Sequence, residues 1–161
     1  TELHYINIGK SRLAGVETMC KIQINRHINV HGAYNYLYTS KDADGVRLSS
    51  SSPHSGNIRA EYNTRIPRYA TVVNLSGNIM GKKKFDVLDE LEIDGKKVEA
   101  YYQAKVNPYC LWDLTVSQYI MQNLRITAGI TNLFDYTSDR VTFNTSTSPG
   151  RNYFIACNYT L

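Results

Sequence analysis

Long apolar runs are missing from this 161-residue chain. No stretch approaches the ~20 consecutive apolar residues of a spanning helix, and the mean hydropathy is −0.38, so a membrane protein of the helical kind is excluded. Cysteine is scarce. Cys20, Cys110 and Cys157 lie far apart, with no CxxC pair, and three cannot build a disulfide framework. Eighteen basic residues exceed fourteen acidic ones by only four, too diffuse an excess to imply a nucleic-acid partner. The sequence also lacks GxSxG, HExxH, P-loop and paired-carboxylate signatures, which argues against an enzyme. His4, His27, His31 and His54 form no HxH or His–Cys pair with metal spacing, so no metal or other cofactor is expected. There is no initiator Met and no signal peptide; Thr1 opens straight into strand-like sequence. The chain is therefore expected to begin inside a longer one.

What the chain has is tyrosine, thirteen against a single Trp, a residue that favours strands and interfaces. It also has alternation. Helical periodicity is nearly absent, while period-2 patterning runs throughout. In residues 57–66, Ile58, Ala60, Tyr62, Thr64 and Ile66 alternate with Asn57, Arg59, Glu61, Asn63 and Arg65. Residues 28–39 set Ile28, Val30, Tyr34, Tyr36 and Tyr38 against Asn29, His31, Asn35 and Thr39. Residues 12–24 set Ala14, Val16, Cys20, Ile22 and Ile24 against Glu17, Lys21 and Gln23, and residues 69–80 set Val73, Leu75 and Ile79 against Asn74, Ser76 and Asn78. Further strands are expected at 109–120, 124–134 and 151–161, with a shorter opening strand at 3–8. The predicted class is all-β: an antiparallel meander of about eight long strands.

Most of these strands run roughly 10–13 residues, where the usual strand of a soluble domain has about five or six and a tilted membrane strand needs roughly 9–11. Soluble sandwiches with long strands exist, so length leans toward a transmembrane barrel without deciding it. The connections add an independent signal. From the second strand on they alternate: short at 25–27, long at 40–56, short at 67–68, long at 81–108, short at 121–123, long at 135–150. Tight turns at one end and large loops at the other are the plan of outer-membrane barrels; the short turn at 9–11 breaks the pattern. In the last strand Tyr153, Ile155, Cys157, Tyr159 and Leu161 place an apolar or aromatic residue at every second position.

These residues are also familiar as motifs. The segment 125–135, ending Asn132-Leu133-Phe134-Asp135, followed by Pro149-Gly150-Arg151, resembles the closing strands of TonB-dependent outer-membrane receptors. Leu111-Trp112-Asp113-Leu114 resembles an upstream strand of that family. Residues 7–17, with Gly15 and Glu17, resemble a further motif, and Pro53-His54-Ser55-Gly56-Asn57 is similar to a segment that opens a barrel strand. Five motifs in family order span residues 5–161. Tyr153, Ile155, Tyr159 and Leu161 resemble the C-terminal signal read by the barrel-assembly machinery, with Leu in place of the usual Phe.

The resemblance implies a large parent: a 22-stranded barrel with an N-terminal plug domain and a box that binds TonB. Residues 1–161 would be its C-terminal barrel segment, in the bacterial cell outer membrane. The implied partners are outer-membrane lipid, the plug, the remaining barrel strands, TonB through the plug, and the barrel-assembly machinery. The implied activity is uptake of a scarce nutrient such as an iron–siderophore complex, haem or cobalamin. Gly15, Glu17, Asp113, Asn132, Leu133, Phe134, Asp135, Pro149, Gly150 and Arg151 are then structural motif residues. Under this reading the apolar rows face lipid. Glu17, Lys21, Arg59, Glu61, Arg65, Asp113 and Arg125 line a wet lumen with small residues such as Ser76, Thr127 and Gly129, where the charged side chains meet the plug. Cys20, Cys110 and Cys157 fall on the lipid rows. His54 coincides with a strand-opening position and is expected to be architectural. Tyr34, Tyr36, Tyr38, Tyr69, Tyr109, Tyr119 and Tyr159 fall near strand ends, as an interfacial girdle would. The charge-rich segment 81–107, with Asp94-Gly95 as a turn signal, reads as a hairpin extending the strands outward. Two alternatives stay open: a self-contained small outer-membrane barrel with a structural or adhesion role, and a soluble β-sandwich that binds a ligand in its loops.

Overall fold

The computed structural model describes residues 12–40, 52–93, 96–137 and 150–160. The expected strand at 3–8, the turn after it, His4, the Asp94-Gly95 tip, Pro149 and Leu161 lie outside them. Nine strands and no helix are found among the described residues: β1 (Leu13–Gln23), β2 (Ile28–Thr39), β3 (His54–Asn63), β4 (Thr71–Met80), β5 (Lys83–Ile93), β6 (Lys96–Val106), β7 (Tyr109–Ile120), β8 (Leu124–Thr131) and β9 (Asn152–Tyr159). Seven form one antiparallel sheet in the order β1-β2-β3-β4-β7-β8-β9, and β5-β6 form a second. The meander is the expected one. β3 begins and ends three residues earlier than its alternation suggests, because Arg65 turns to φ 54° and takes Arg65 and Ile66 out of the ladder. β8 stops at Thr131 because Asn132 adopts φ 52°.

Because every neighbouring pair is antiparallel, the three short turns share one rim and the long connections the other. The short turns are built from side chains that mimic backbone. Asn25 Oδ1 accepts from the amides of His27 (2.8 Å) and Ile28 (2.9 Å), and Asn63 Oδ1 accepts from that of Arg65 (2.8 Å), as Asx turns do. Adjacent turns are then tied together. His27 Nδ1 donates to the Asn63 carbonyl at 2.8 Å, the Met121 amide donates to the Arg68 carbonyl, and Asn123 Nδ2 donates to the Thr160 carbonyl at 3.0 Å.

On the other rim, β5 and β6 prolong β4 and β7 in an unbroken register. Thr71 pairs with Gln118 and Met80 with Tyr109; Lys83 pairs with Val106 and Ile93 with Lys96. One hairpin therefore runs from the sheet through its rim, and its outer eleven pairs add about 36 Å at roughly 3.3 Å per residue. The charge-rich segment is thus a paired ladder, as the Asp-Gly signal suggested.

The sheet has no core of its own. Val106 is the only buried hydrophobic side chain among the described residues, and β1 and β9 are exposed along their whole length. The chain's 12436 Å² of surface is about half again the ~8,100 Å² expected of a compact monomer of 18.3 kDa. Such a sheet is stable only against something else.

Candidate functional site: the polar face and its loop-side corner

The registers assign every strand residue to one of two faces, since directly paired residues share a face. One face is apolar. Along it run Val16, Ile22, Val30, Ile58, Leu75, Leu114, Val116, Ile126 and Ile155, joined laterally through the pairings of seven strands. Val16 is 63% and Ile155 78% exposed, so no described residue covers the face at these two strands. Cys20, Cys110 and Cys157 lie on this face, as expected. The opposite face carries every Asp, Glu, Lys and Arg of the seven strands: Glu17, Lys21, Arg59, Glu61, Asp113 and Arg125. Among them stand Asn29, Asn35, Asn57, Asn74, Asn78, Ser76 and Thr127. Arg65, expected in this row, sits in a short turn instead. Each face has one glycine roofed by its paired aromatic ring: Gly77 under Trp112 on the apolar side, and Gly129 under Phe154 on the polar side. A large ring and a missing side chain complement one another across a ladder.

The tyrosines divide. Tyr34, Tyr36 and Tyr38 on β2, Tyr62 on β3, and Tyr153 and Tyr159 on β9 belong to the apolar face, and Tyr69 is exposed in a short turn. Tyr109 and Tyr119 do not join them. Tyr109 pairs with Met80 and Tyr119 with Arg125 on the polar face, where Arg125 Cζ lies 6.0 Å from the Tyr119 ring centroid. Period-2 counting from each strand's apolar residues places both there; proximity to a strand end does not decide the face. His54 shares a 2.6 Å hydrogen bond with Tyr34 Oη and stands 5.1 Å from the Tyr36 ring. His31 lies on the polar face between Lys21 and Arg59.

The motif residues of the C-terminal half converge at the loop-side rim. Asp113 Oδ1 accepts from the Asn132 amide at 2.9 Å. Asn132, 5% exposed, closes a ring with Tyr136: its Nδ2 donates to the Tyr136 carbonyl and its Oδ1 accepts from the Tyr136 amide, each at 2.8 Å. The Leu133 amide donates to the Trp112 carbonyl at 2.6 Å. Asp135 Oδ1 accepts from the Arg151 amide at 2.7 Å, where Gly150 turns at φ 76°. The Arg151 guanidinium is held further above its ordinary value, first by a hydrogen bond with Tyr153, then by the charges of Tyr153 and Asp135. Tyr136 stacks on Tyr109 with centroids 4.9 Å apart and planes 9° from parallel. This corner fastens the last two strands to β7. Phe134 points away, 69% exposed. Gly15 stands on β1 close to the Tyr36 carbonyl, and Glu17 lies opposite Asn35; neither belongs to the corner. Tyr136 was not anticipated, since its role depends on the φ of Asn132, which the sequence does not print. Among the described residues no cluster of three metal-ligating side chains occurs.

The family model for the TonB dependent receptor-like beta-barrel matches residues 2–133. The chain belongs to that family. Solved TonB-dependent receptors share the fold. The ferripyoverdine receptor of the Pseudomonas aeruginosa outer membrane matches with TM-score 0.71 and 18% identity, over 92% of this chain and 19% of that one. The ferric enterobactin receptor PfeA of the same organism gives 0.72 and 18%, over 95% and 23%. The siderophore receptor PirA of Acinetobacter baumannii gives 0.70 and 18%, over 91% and 22%. The chain spans about a fifth of the length of these receptors. None of the curated proteins matches. Members of this family are outer-membrane receptors rather than enzymes. Among the described residues the sheet ends at β1 on one edge and β9 on the other.

Proposed function

We propose that residues 1–161 form a C-terminal segment of the barrel wall of a TonB-dependent outer-membrane receptor that imports a scarce nutrient, an iron–siderophore complex foremost. In this reading the apolar face meets lipid and the polar face lines the lumen against the plug. β1 pairs with earlier barrel strands, and the β5–β6 hairpin stands outside the cell. Energy comes from the inner-membrane proton gradient through TonB, reached by the plug. The loop-side corner holds the closing strands in register, and Tyr153, Ile155, Tyr159 and Leu161 present the signal for the barrel-assembly machinery.

One observation carries the reading. All six formal charges of the seven strands lie on one face, while the other runs apolar and uncovered across every strand. That division suits a wall between hydrocarbon and water. The siderophore class is supported by the receptors of like fold. The test is uptake of radio-iron presented with siderophores by cells carrying or lacking the gene. Uptake that disappears with the gene, and equally with loss of TonB or of the proton gradient, is the expected result. Uptake that survives loss of TonB would sink the energy-coupled reading.

A further inference from the structure

The three short turns share one rim, and their composition is unusual for turns. Residues 24–27, 64–70 and 121–123 hold Arg26, Arg65 and Arg68 and no Asp or Glu. Among the arginines stand Ile24, Ile66, Tyr69 and Met121, each more than half exposed, where turns ordinarily carry Gly, Asn, Asp or Ser. Two of the arginines also sit where the backbone disfavours them. The Tyr69 amide donates to the Ile66 carbonyl at 3.2 Å, closing a turn on Pro67 and Arg68. Arg68 takes φ 68° at the position that usually falls to Gly, and Arg65 takes φ 54°. Glycine would fit both without strain, so what arginine adds there is its side chain. Arg26 is tied to the neighbouring hairpin: its Nε donates to His27 Nε2 at 2.8 Å, and His27 Nδ1 donates to the Asn63 carbonyl. Adjacent hairpins stand about 10 Å apart, two strand spacings of ~4.8 Å. That is about one Debye length at 0.1 M salt, so the charges act on a common neighbourhood.

We propose that this rim anchors the wall to anionic phospholipid. Its arginines take headgroup phosphates, while Ile24, Ile66, Tyr69 and Met121 enter the acyl boundary. The rim lies where the apolar face ends. Ile22 with Val30, Tyr62 with Val73, and Ile120 with Leu124 are the last apolar pairs before the three turns. Hydrocarbon alone would answer the apolar side chains and strand three guanidinium groups; water alone would do the reverse. The headgroup layer, which begins where hydrocarbon ends, answers both. Three cations in turns free of acid select an anionic headgroup over a zwitterionic one. The proposal rests on the barrel-wall reading and deepens it by naming the leaflet. The short turns lie at the rim opposite the β5–β6 hairpin, which puts the site on the inner leaflet.

The test uses the full-length gene product in phosphatidylcholine vesicles, its own cysteines replaced by alanine and a fluorophore on Gln122→Cys. Gln122 follows Met121, whose amide donates to the Arg68 carbonyl. The quencher is a nitroxide just below the headgroup of phosphatidylglycerol or of phosphatidylcholine, added at equal mole fraction. At low salt the phosphatidylglycerol label should be preferred roughly fivefold or more, the factor that one arginine near an anionic surface supplies. Added salt should erode the preference. Arg65→Gln and Arg68→Gln should each cut it by about half or more. Arg68→Gly should do the same with the turn relieved of strain, whereas Arg68→Lys should keep it, as should Lys84→Gln at the opposite rim. The heat-shifted band on a gel checks that each variant is folded. Equal quenching by the two lipids, or a preference indifferent to Arg65 and Arg68, overturns the headgroup site and keeps the wall in the membrane. Quenching by neither lipid but by aqueous iodide sinks both.

Discussion

Placing an arginine at three positions distinguishes lipid from packed protein as the neighbour of the apolar face. Leu114 sits mid-strand on that face, paired with Leu75 and Ile130. Ile120 is on the same face of the same strand, at its short-turn end, paired with Leu124. Six residues at about 3.3 Å each separate them by about 20 Å along the strand. With a tilt of roughly 40°, that is about 15 Å in depth, more than half of an apolar band ~25 Å tall. Leu114→Arg should therefore cost about 2–4 kcal/mol and Ile120→Arg about 0–1 kcal/mol. Asn78→Arg, on the polar face between Asn57 and Leu111, should stay within about 0.5 kcal/mol. Urea unfolding of the full-length protein in lipid vesicles, followed by the gel-shift of the folded band, measures all three. Equal and large costs at Leu114 and Ile120 would refute the reasoning, because a protein core penalises a charge without regard to depth. So would an Asn78 variant as damaged as the Leu114 one.

Other consequences follow from the corner and the faces. Asn132→Ala loses two hydrogen bonds of about 1 kcal/mol each and forces Ala into positive φ, so it should destabilise by about 2–4 kcal/mol in the same assay. Asn132→Gly keeps the conformation and should lose about 2 kcal/mol. Gly129→Val drives a side chain into the Phe154 ring and should cost about 1–3 kcal/mol, partly recovered when Phe154→Ala is added. Cys20 and Cys157, exposed on the apolar face, should react in the folded membrane-bound protein with a lipid-soluble maleimide and resist a charged, impermeant thiosulfonate. Equal reaction with both reagents would contradict the face assignment.

The strands and their faces were legible because a period of two needs only local residues. The apolar rows read from residues 12–24, 28–39 and 69–80 are the rows that the pairings assemble. The continuous hairpin was legible from Asp94-Gly95 and alternation around it. Tertiary geometry was not. Nothing in residues 64–66 announces that Arg65 leaves the strand, since only its φ takes it out of the polar row. Tyr109 and Tyr119 were misread by position along the strand when their parity held the answer. Asp113, Asn132, Asp135 and Arg151 were singled out by resemblance alone. Their joint purpose depends on hydrogen bonds between residues as many as nineteen apart, which no spacing rule predicts.

The central claim is that this sheet is receptor wall in an outer membrane, and the direct measurement is a blot of fractionated source cells with an antibody raised against residues 1–161. The account predicts a heat-modifiable outer-membrane band several-fold larger than the chain's 18.3 kDa. A membrane band at the chain's own mass would make it a small barrel. A soluble band at that mass would contradict the account outright.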